Sequence, residues 1–143
     1  MKKMFGLILI FIFPILSFAN PDTDKEIDDQ IIYHTFSGDW QKADSLLELQ
    51  IKKYPDSPKY YALKGPYYFY TRYYNGGVLS NDSLIQKMDE YSRKAIEVGE
   101  KDDMSLDDKF FVGTAYGYLS RSLIRQSSYW ATYSAASKSV DYK

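Results

Sequence analysis

After residue 20, apolar positions recur at spacings of three and four, and clear breaks separate the runs. Asp24 to Phe36 forms the first helix-compatible stretch, ended by Ser37-Gly38-Asp39. Trp40 to Tyr54 forms the second, ended by Pro55-Asp56-Ser57-Pro58. Proline stops a helix because it lacks the N–H and clashes with the preceding turn. Residues 59–74 come next and stop at the turn signal Asn75-Gly76-Gly77. Asn81 or Asp82 can cap a fourth helix running to Val98, with Gly99 closing it. Ser105 with Asp108 three residues later is close to a capping box and opens a fifth helix to about Arg125. Ser127-Ser128 interrupts the pattern, and a last helix fills 129–142. The pattern predicts an all-α fold of six helices in three antiparallel hairpins, with no alternating strand.

The third stretch raises a separate question. Residues 60–74 read YYALKGPYYFYTRYY, with eight aromatic residues, seven of them tyrosine. Tyr60, Leu63, Tyr67, Tyr70 and Tyr74 fall on one helical stripe, the usual mark of a packing seam. Tyr61 and Tyr68 lie on a second line beside Gly65. A helix apolar nearly all round is covered on most sides, so most of these tyrosines are expected in the core. Their hydroxyls are expected to reach a rim or a partner. Pro66 is expected to kink the helix or restart it at Gly65.

The first nineteen residues are a different object. Lys2 and Lys3 precede an apolar run of 15 residues, Met4 to Phe18, and Ser17-Phe18-Ala19 supplies small residues for a peptidase. This is the pattern of a secretory signal peptide, residues 1–19, ahead of one domain at 20–143. A retained membrane anchor over residues 4–18 is the weaker alternative, since Pro14 interrupts a run already short of the roughly 20 residues a spanning helix needs. Export to a periplasm or cell envelope follows. The chain has no cysteine, so neither disulfides nor a lipidated cysteine can support it. Of 18 basic and 19 acidic residues, loss of Lys2 and Lys3 leaves 16 and 19. No basic block follows, which argues against a nucleic-acid partner.

Two segments repeat a spacing: Tyr61-x2-Lys64-Gly65-x2-Tyr68 and Lys109-x2-Val112-Gly113-x2-Tyr116. The first hairpin carries Gly38-x-Trp40-x2-Ala43-x3-Leu47, with Pro55 twelve residues after Ala43, and Ile27 to Tyr61 spans 34 residues. These features resemble the tetratricopeptide repeat, whose unit has 34 residues and a Trp-x2-Leu-Gly-x2-Tyr signature. The sequence departs from it where Gly65 to Gly113 spans 48 residues. The resemblance covers roughly residues 24–142 and extends to exported bacterial proteins of that type. It implies three hairpins stacked as an α-solenoid, packed through Trp40, Ala43, Tyr61, Gly65, Tyr68, Gly113 and Tyr116. It also implies a concave groove that binds a protein or peptide partner. Carried over residue by residue, the groove is lined by Asp28, Ile32, Thr35, Lys59, Ala62, Pro66, Phe69, Tyr70, Phe110, Thr114 and Tyr118. Phe69 and Tyr118 would be its aromatic anchors, and Lys59 could meet a peptide carboxylate. Tyr70 lies on the main stripe and is weighted toward burial.

Candidate chemistry is sparse. His34 is the single histidine, and no motif ties it to Ser37 or Asp39, so no catalytic residue is assigned. One histidine and no cysteine do not make a zinc site. Asp102, Asp103, Asp107 and Asp108 lack the calcium-loop spacing. No phosphate-binding glycine loop is present, and no cofactor is implied. A non-enzymatic binding module is the leading expectation, with a glycan-binding helical protein as the alternative. Tyr129, Tyr133, Ala136 and Val140, with Trp130 beside them, make an apolar stripe on the last helix. Either the chain continues in a longer protein with further repeats, or this face self-associates or docks a partner.

Overall fold

Six helices make up a computed structural model that describes the backbone of residues 21–74 and 81–142, and the side chains within 24–72 and 82–142. They are α1 (Pro21–Ser37), α2 (Trp40–Lys53), α3 (Pro58–Tyr74), α4 (Asn81–Gly99), α5 (Leu106–Arg125) and α6 (Tyr129–Asp141). No strand occurs among the described residues. The all-α expectation holds, with helix ends within a few residues of those read from the sequence. The leader at 1–19, the Asn75-Gly76-Gly77 turn and the side chain of Tyr74 lie outside the described residues.

The helix ends have local causes. Gly38 adopts φ 83°, a left-handed conformation that glycine accepts without strain, and this turns α1 into α2. Pro58 opens α3, where its missing N–H costs nothing. At α5 the Ser105 hydroxyl oxygen accepts the Asp108 N–H at 3.1 Å, and Asp107 and Asp108 sit at the positive end of the helix. Between α5 and α6, Ser127 takes the left-handed conformation at φ 58°, and the Ser128 N–H reaches back to the Leu123 carbonyl at 3.1 Å. Pro66 does not restart α3, which runs as one helix through it.

Side-chain contacts fix how the helices lie. Asp24, early in α1, meets Lys53 and Tyr54 at the end of α2, so the two are antiparallel. Gly99 at the end of α4 packs on Pro58 at the start of α3, and Ser139 in α6 donates to the Gly113 carbonyl in α5. All three sequential pairs are therefore antiparallel. The first members of the pairs run parallel to one another. Asp28 pairs with Lys59 and Phe36 meets Tyr70 across α1 and α3. Lys59 faces Phe111 and Gly65 faces Tyr118 across α3 and α5. Helices α1, α3 and α5 thus form a row, and α2 and α4 each bridge two of its members.

The core fills the space between that row and the bridging helices. Ile31, Ala43, Leu47, Tyr60 and Tyr67 form one cluster between α1, α2 and α3. Tyr61, Ala62, Ala95 and Ala115 join α3, α4 and α5, and Val112, Tyr116, Leu119, Leu123 and Ala135 join α5 to α6. Much of the tyrosine is core, and several hydroxyls end on carboxylates at the rim. Tyr54 donates to Asp24, Tyr91 to Glu48, and Tyr116 and Tyr142 to Glu100. A tyrosine core can form beside acidic side chains because each such hydroxyl finds an acceptor.

At Gly65 helices α3 and α5 come too close for a side chain: a Cβ there would lie 2.8 Å from Cγ of Tyr118. Ala for Gly inside a helix ordinarily gains up to about 1 kcal/mol. Here overpacking is expected to win, so Gly65→Ala should lower stability by about 1–3 kcal/mol in urea unfolding. Gly117→Ala is the control. Its Cβ would meet only the Ser139 hydroxyl at 3.3 Å and the Arg121 guanidinium at 3.8 Å, both movable, and stability should hold or rise.

Candidate functional site

Lys64 stands in the aromatic stretch of α3, and the structure buries it completely. Its ammonium lies 2.5 Å from Oδ1 of Asp44 and 2.6 Å from Oε1 of Glu48, residues one turn apart on α2. Three rings surround it: Tyr91 of α4 at 5.1 Å, and Tyr67 and Tyr68 of α3 at 5.3 and 5.8 Å. The Tyr91 hydroxyl donates to the same Glu48 oxygen at 3.2 Å. Partial burial pushes the Glu48 carboxyl upward. The Lys64 hydrogen bond and charge, with the Tyr91 hydroxyl, outweigh this and hold it below the usual carboxylate value. Burial first, and then the neighbouring carboxylates, push Tyr67 and Tyr91 up to about 12, so both remain neutral. This cluster ties α2, α3 and α4 together with its cation filled from within.

The opposite side of α3 carries the surface features. Phe36 of α1 contacts Tyr70 of α3 edge-to-face at 4.8 Å between centroids. Tyr70 contacts Phe69 at 5.4 Å, and Phe69 contacts Tyr118 of α5 at 5.9 Å. The Arg121 guanidinium closes the line, 5.5 Å from the Phe69 ring and 4.8 Å from the Tyr118 ring. Its other contact is a 3.4 Å hydrogen bond to the Gly117 carbonyl, and no carboxylate among the described residues pairs with it. The result is a ribbon of rings crossing α1, α3 and α5 and ending in a cation. Phe36 and Arg121 are exposed, while Phe69, Tyr70 and Tyr118 are half-buried.

The residues assigned to the groove divide into groups. Phe69, Tyr70 and Tyr118 are brought together in the ribbon, and Ile32 and Pro66 lie near its α1 end beside Phe36. Phe110 and Thr114 lie elsewhere, around a small recess with Gly113, Ser139 and Tyr142. Lys59 and Asp28 are spent on each other as an ion pair. Two assignments are corrected. Thr35 is only 3% exposed and Ala62 only 1%, so neither lines an open surface. Thr35 turns into the last turn of α1, its hydroxyl donating to the Ile31 carbonyl, and Ala62 lies in the cluster between α3, α4 and α5. Among the packing residues, Ala43, Tyr61 and Tyr116 are buried, and Trp40 meets Tyr67 edge-to-face. Tyr68 packs on Tyr67 and Tyr91, Gly65 lies under Tyr118, and Gly113 lies under Tyr142.

Sequence reasoning missed the Lys64 cluster and Arg121. The available signals were a lysine inside an aromatic helix and the Asp44/Glu48 pair at one-turn spacing. Other polar groups offer less. A cleft of about 510 Å³ is lined by Asp24, Lys25, Asp28, Tyr54, Ser57, Lys59 and Tyr60, but Asp24 pairs with Lys53 and Asp28 with Lys59. His34 is buried at the end of α1 with Nδ1 3.4 Å from Asp39, and the Ser37 hydroxyl donates to the His34 carbonyl, not to the ring. No described helix is long and apolar enough to cross a membrane. No protein-family model matches the chain, and no curated protein or solved structure is significantly similar to it.

Removing the acceptors strands a buried ammonium, whereas removing the ammonium leaves two carboxylates that are each partly exposed. The double variant Asp44→Asn/Glu48→Gln is therefore expected to lose about 3–5 kcal/mol, and Lys64→Met distinctly less, by denaturant titration. The sign with pH follows from the lowered Glu48 value. Its contribution is full above the unfolded value of about 4.3 and is lost as pH falls through the lower folded value. The urea midpoint should therefore drop between pH 5 and pH 3, and drop less steeply in Glu48→Gln.

Proposed function

We propose that this chain is a non-enzymatic, tetratricopeptide-like interaction module of the cell envelope that holds an extended peptide or a partner helix. The observation that carries this is the aromatic ribbon from Phe36 through Tyr70 and Phe69 to Tyr118. It crosses three parallel helices, so an occupant would touch all three at once. Aromatic rings provide large contact area at little entropic cost, which is why they dominate binding hot spots. The parallel row of α1, α3 and α5, with α2 and α4 bridging it, supports the stacked-hairpin part of the proposal.

The ring geometry favours a peptide over a glycan. Successive ribbon rings meet at 62°, 88° and 65°, so they present alternating edges and faces. A sugar stacks best on a flat face, while side chains of a peptide insert between tilted rings. Export rests on the leader pattern of residues 1–19 alone.

Selection of displayed random peptides on the purified chain tests the proposal. Apolar or aromatic peptides should be enriched, and Phe36→Ala and Phe69→Ala should each weaken the best of them by about tenfold or more in fluorescence anisotropy. Phe36 is exposed, so its loss should leave helicity intact. No enrichment, or affinities that neither substitution changes, would overturn the proposal.

A further inference from the structure

Helix α6 buries little of itself. Ala135 is its one fully buried residue, while Tyr129, Trp130 and Tyr133 are 74%, 82% and 67% exposed. Trp130 and Tyr133 stack on each other in the open, at 5.9 Å and 29°. Residues 129–137 read YWATYSAAS, a run without a single charge on a helix that faces solvent. Lys138, the one base of α6, turns its amine back to the Tyr116 hydroxyl at 3.3 Å and over the Tyr116 ring. Asp141 is the one acid, at the very end. An exposed helical face with this composition is the profile of an interface rather than of a solvated surface.

The face is graded along its length. Going from the start of α6, its outward positions are Trp130, Tyr133, Ser137 and Val140, since Ala135 points the opposite way. Large rings occupy the first half. The second half carries smaller side chains, with Ala136 exposed beside Ser137. Such a face fits itself when turned end for end: the rings of one copy lie over the small-residue half of the other, and no charge is buried. A helical serine can return its hydroxyl to the carbonyl one turn back, so covering Ser137 need not strand a polar group. We propose that two copies of this chain associate through antiparallel α6 helices about a two-fold axis, an isologous contact. An aromatic side chain covers about 150–250 Å² when buried. The three exposed rings with Ala136 and Val140 therefore supply at most about 600 Å² per copy, which puts the contact at or below the lower end of specific interfaces, about 1,200 Å² in total. The pairing is reversible by this measure.

Sedimentation velocity on the chain, exported from its expression host and purified, tests this directly. A dimer fraction rising with concentration is expected. Ser137→Glu and Tyr133→Glu, both at exposed positions, should each weaken dimerisation about tenfold or more with unchanged helicity. A chain without cysteine also accepts one spin label cleanly. Through Asp141→Cys, antiparallel pairing predicts a backbone separation of about 20 Å between copies, against about 10 Å for parallel pairing. A monomer at all concentrations, a dimer insensitive to both glutamates, or the short distance would each overturn the inference.

Discussion

A single ammonium group holds the centre of this structure. Lys64 has no exposed surface, and burying it is tolerable only because two carboxylates and three ring faces surround it. Those partners come from α2 and α4 as well as from α3 itself, so satisfying one charge fixes three helices together. Asp44 and Glu48 can serve because they sit one turn apart on α2 and keep part of their surface in water. The ion pairs are directional where hydrophobic contact is not, which makes the cluster a device for register.

That register has consequences on the other side of α3. Lys64 and Gly65 are adjacent and point to different faces of the helix. With Lys64 locked against α2 and α4, Gly65 is presented to α5, and its missing side chain lets the Tyr118 ring come down onto the backbone. Tyr118 then meets Phe69, Phe69 meets Tyr70, and Tyr70 meets Phe36. The ribbon therefore follows from a buried charge on one face and a glycine on the next. Arg121 adds a cation held by rings and a backbone carbonyl, with its charge still available.

The two surfaces have different physics. The ribbon sets three half-buried rings between the exposed Phe36 ring and the exposed Arg121 cation, on a packed row of helices. The outward face of α6 is a solitary helix face, exposed and uncharged, attached through Ala135 and the Gly113–Ser139 hydrogen bond. Gly113 lets α6 lie close to α5, with Tyr142 and the Ser139 carbonyl directly over it. A face of that kind gains by association.

Periodicity and local chemistry determined the six helices of this protein. Proline and glycine stops, the Ser105 cap and the spacing of three and four are properties of nearby residues, and nearby residues decide where a helix begins and ends. Burial of Tyr60, Tyr61 and Tyr67 was legible too, because a helix apolar nearly all round has to be covered. The tertiary structure alone decided which polar residues went inside. Lys64 counts as a break in any hydrophobic pattern, and its place in the core depends on Asp44, Glu48 and Tyr91, from 16 to 27 residues away. Thr35 and Ala62 were groove positions by the repeat resemblance alone, and they are buried because α1 and α3 each pack on more than one neighbour. Phe69 and Tyr118 could be singled out as aromatic side chains, but their contact across 49 positions, with Arg121 against both, required two helices to meet at a glycine. Contacts between distant residues depend on helix rotation and approach, and those are set by packing that no single stretch of sequence contains.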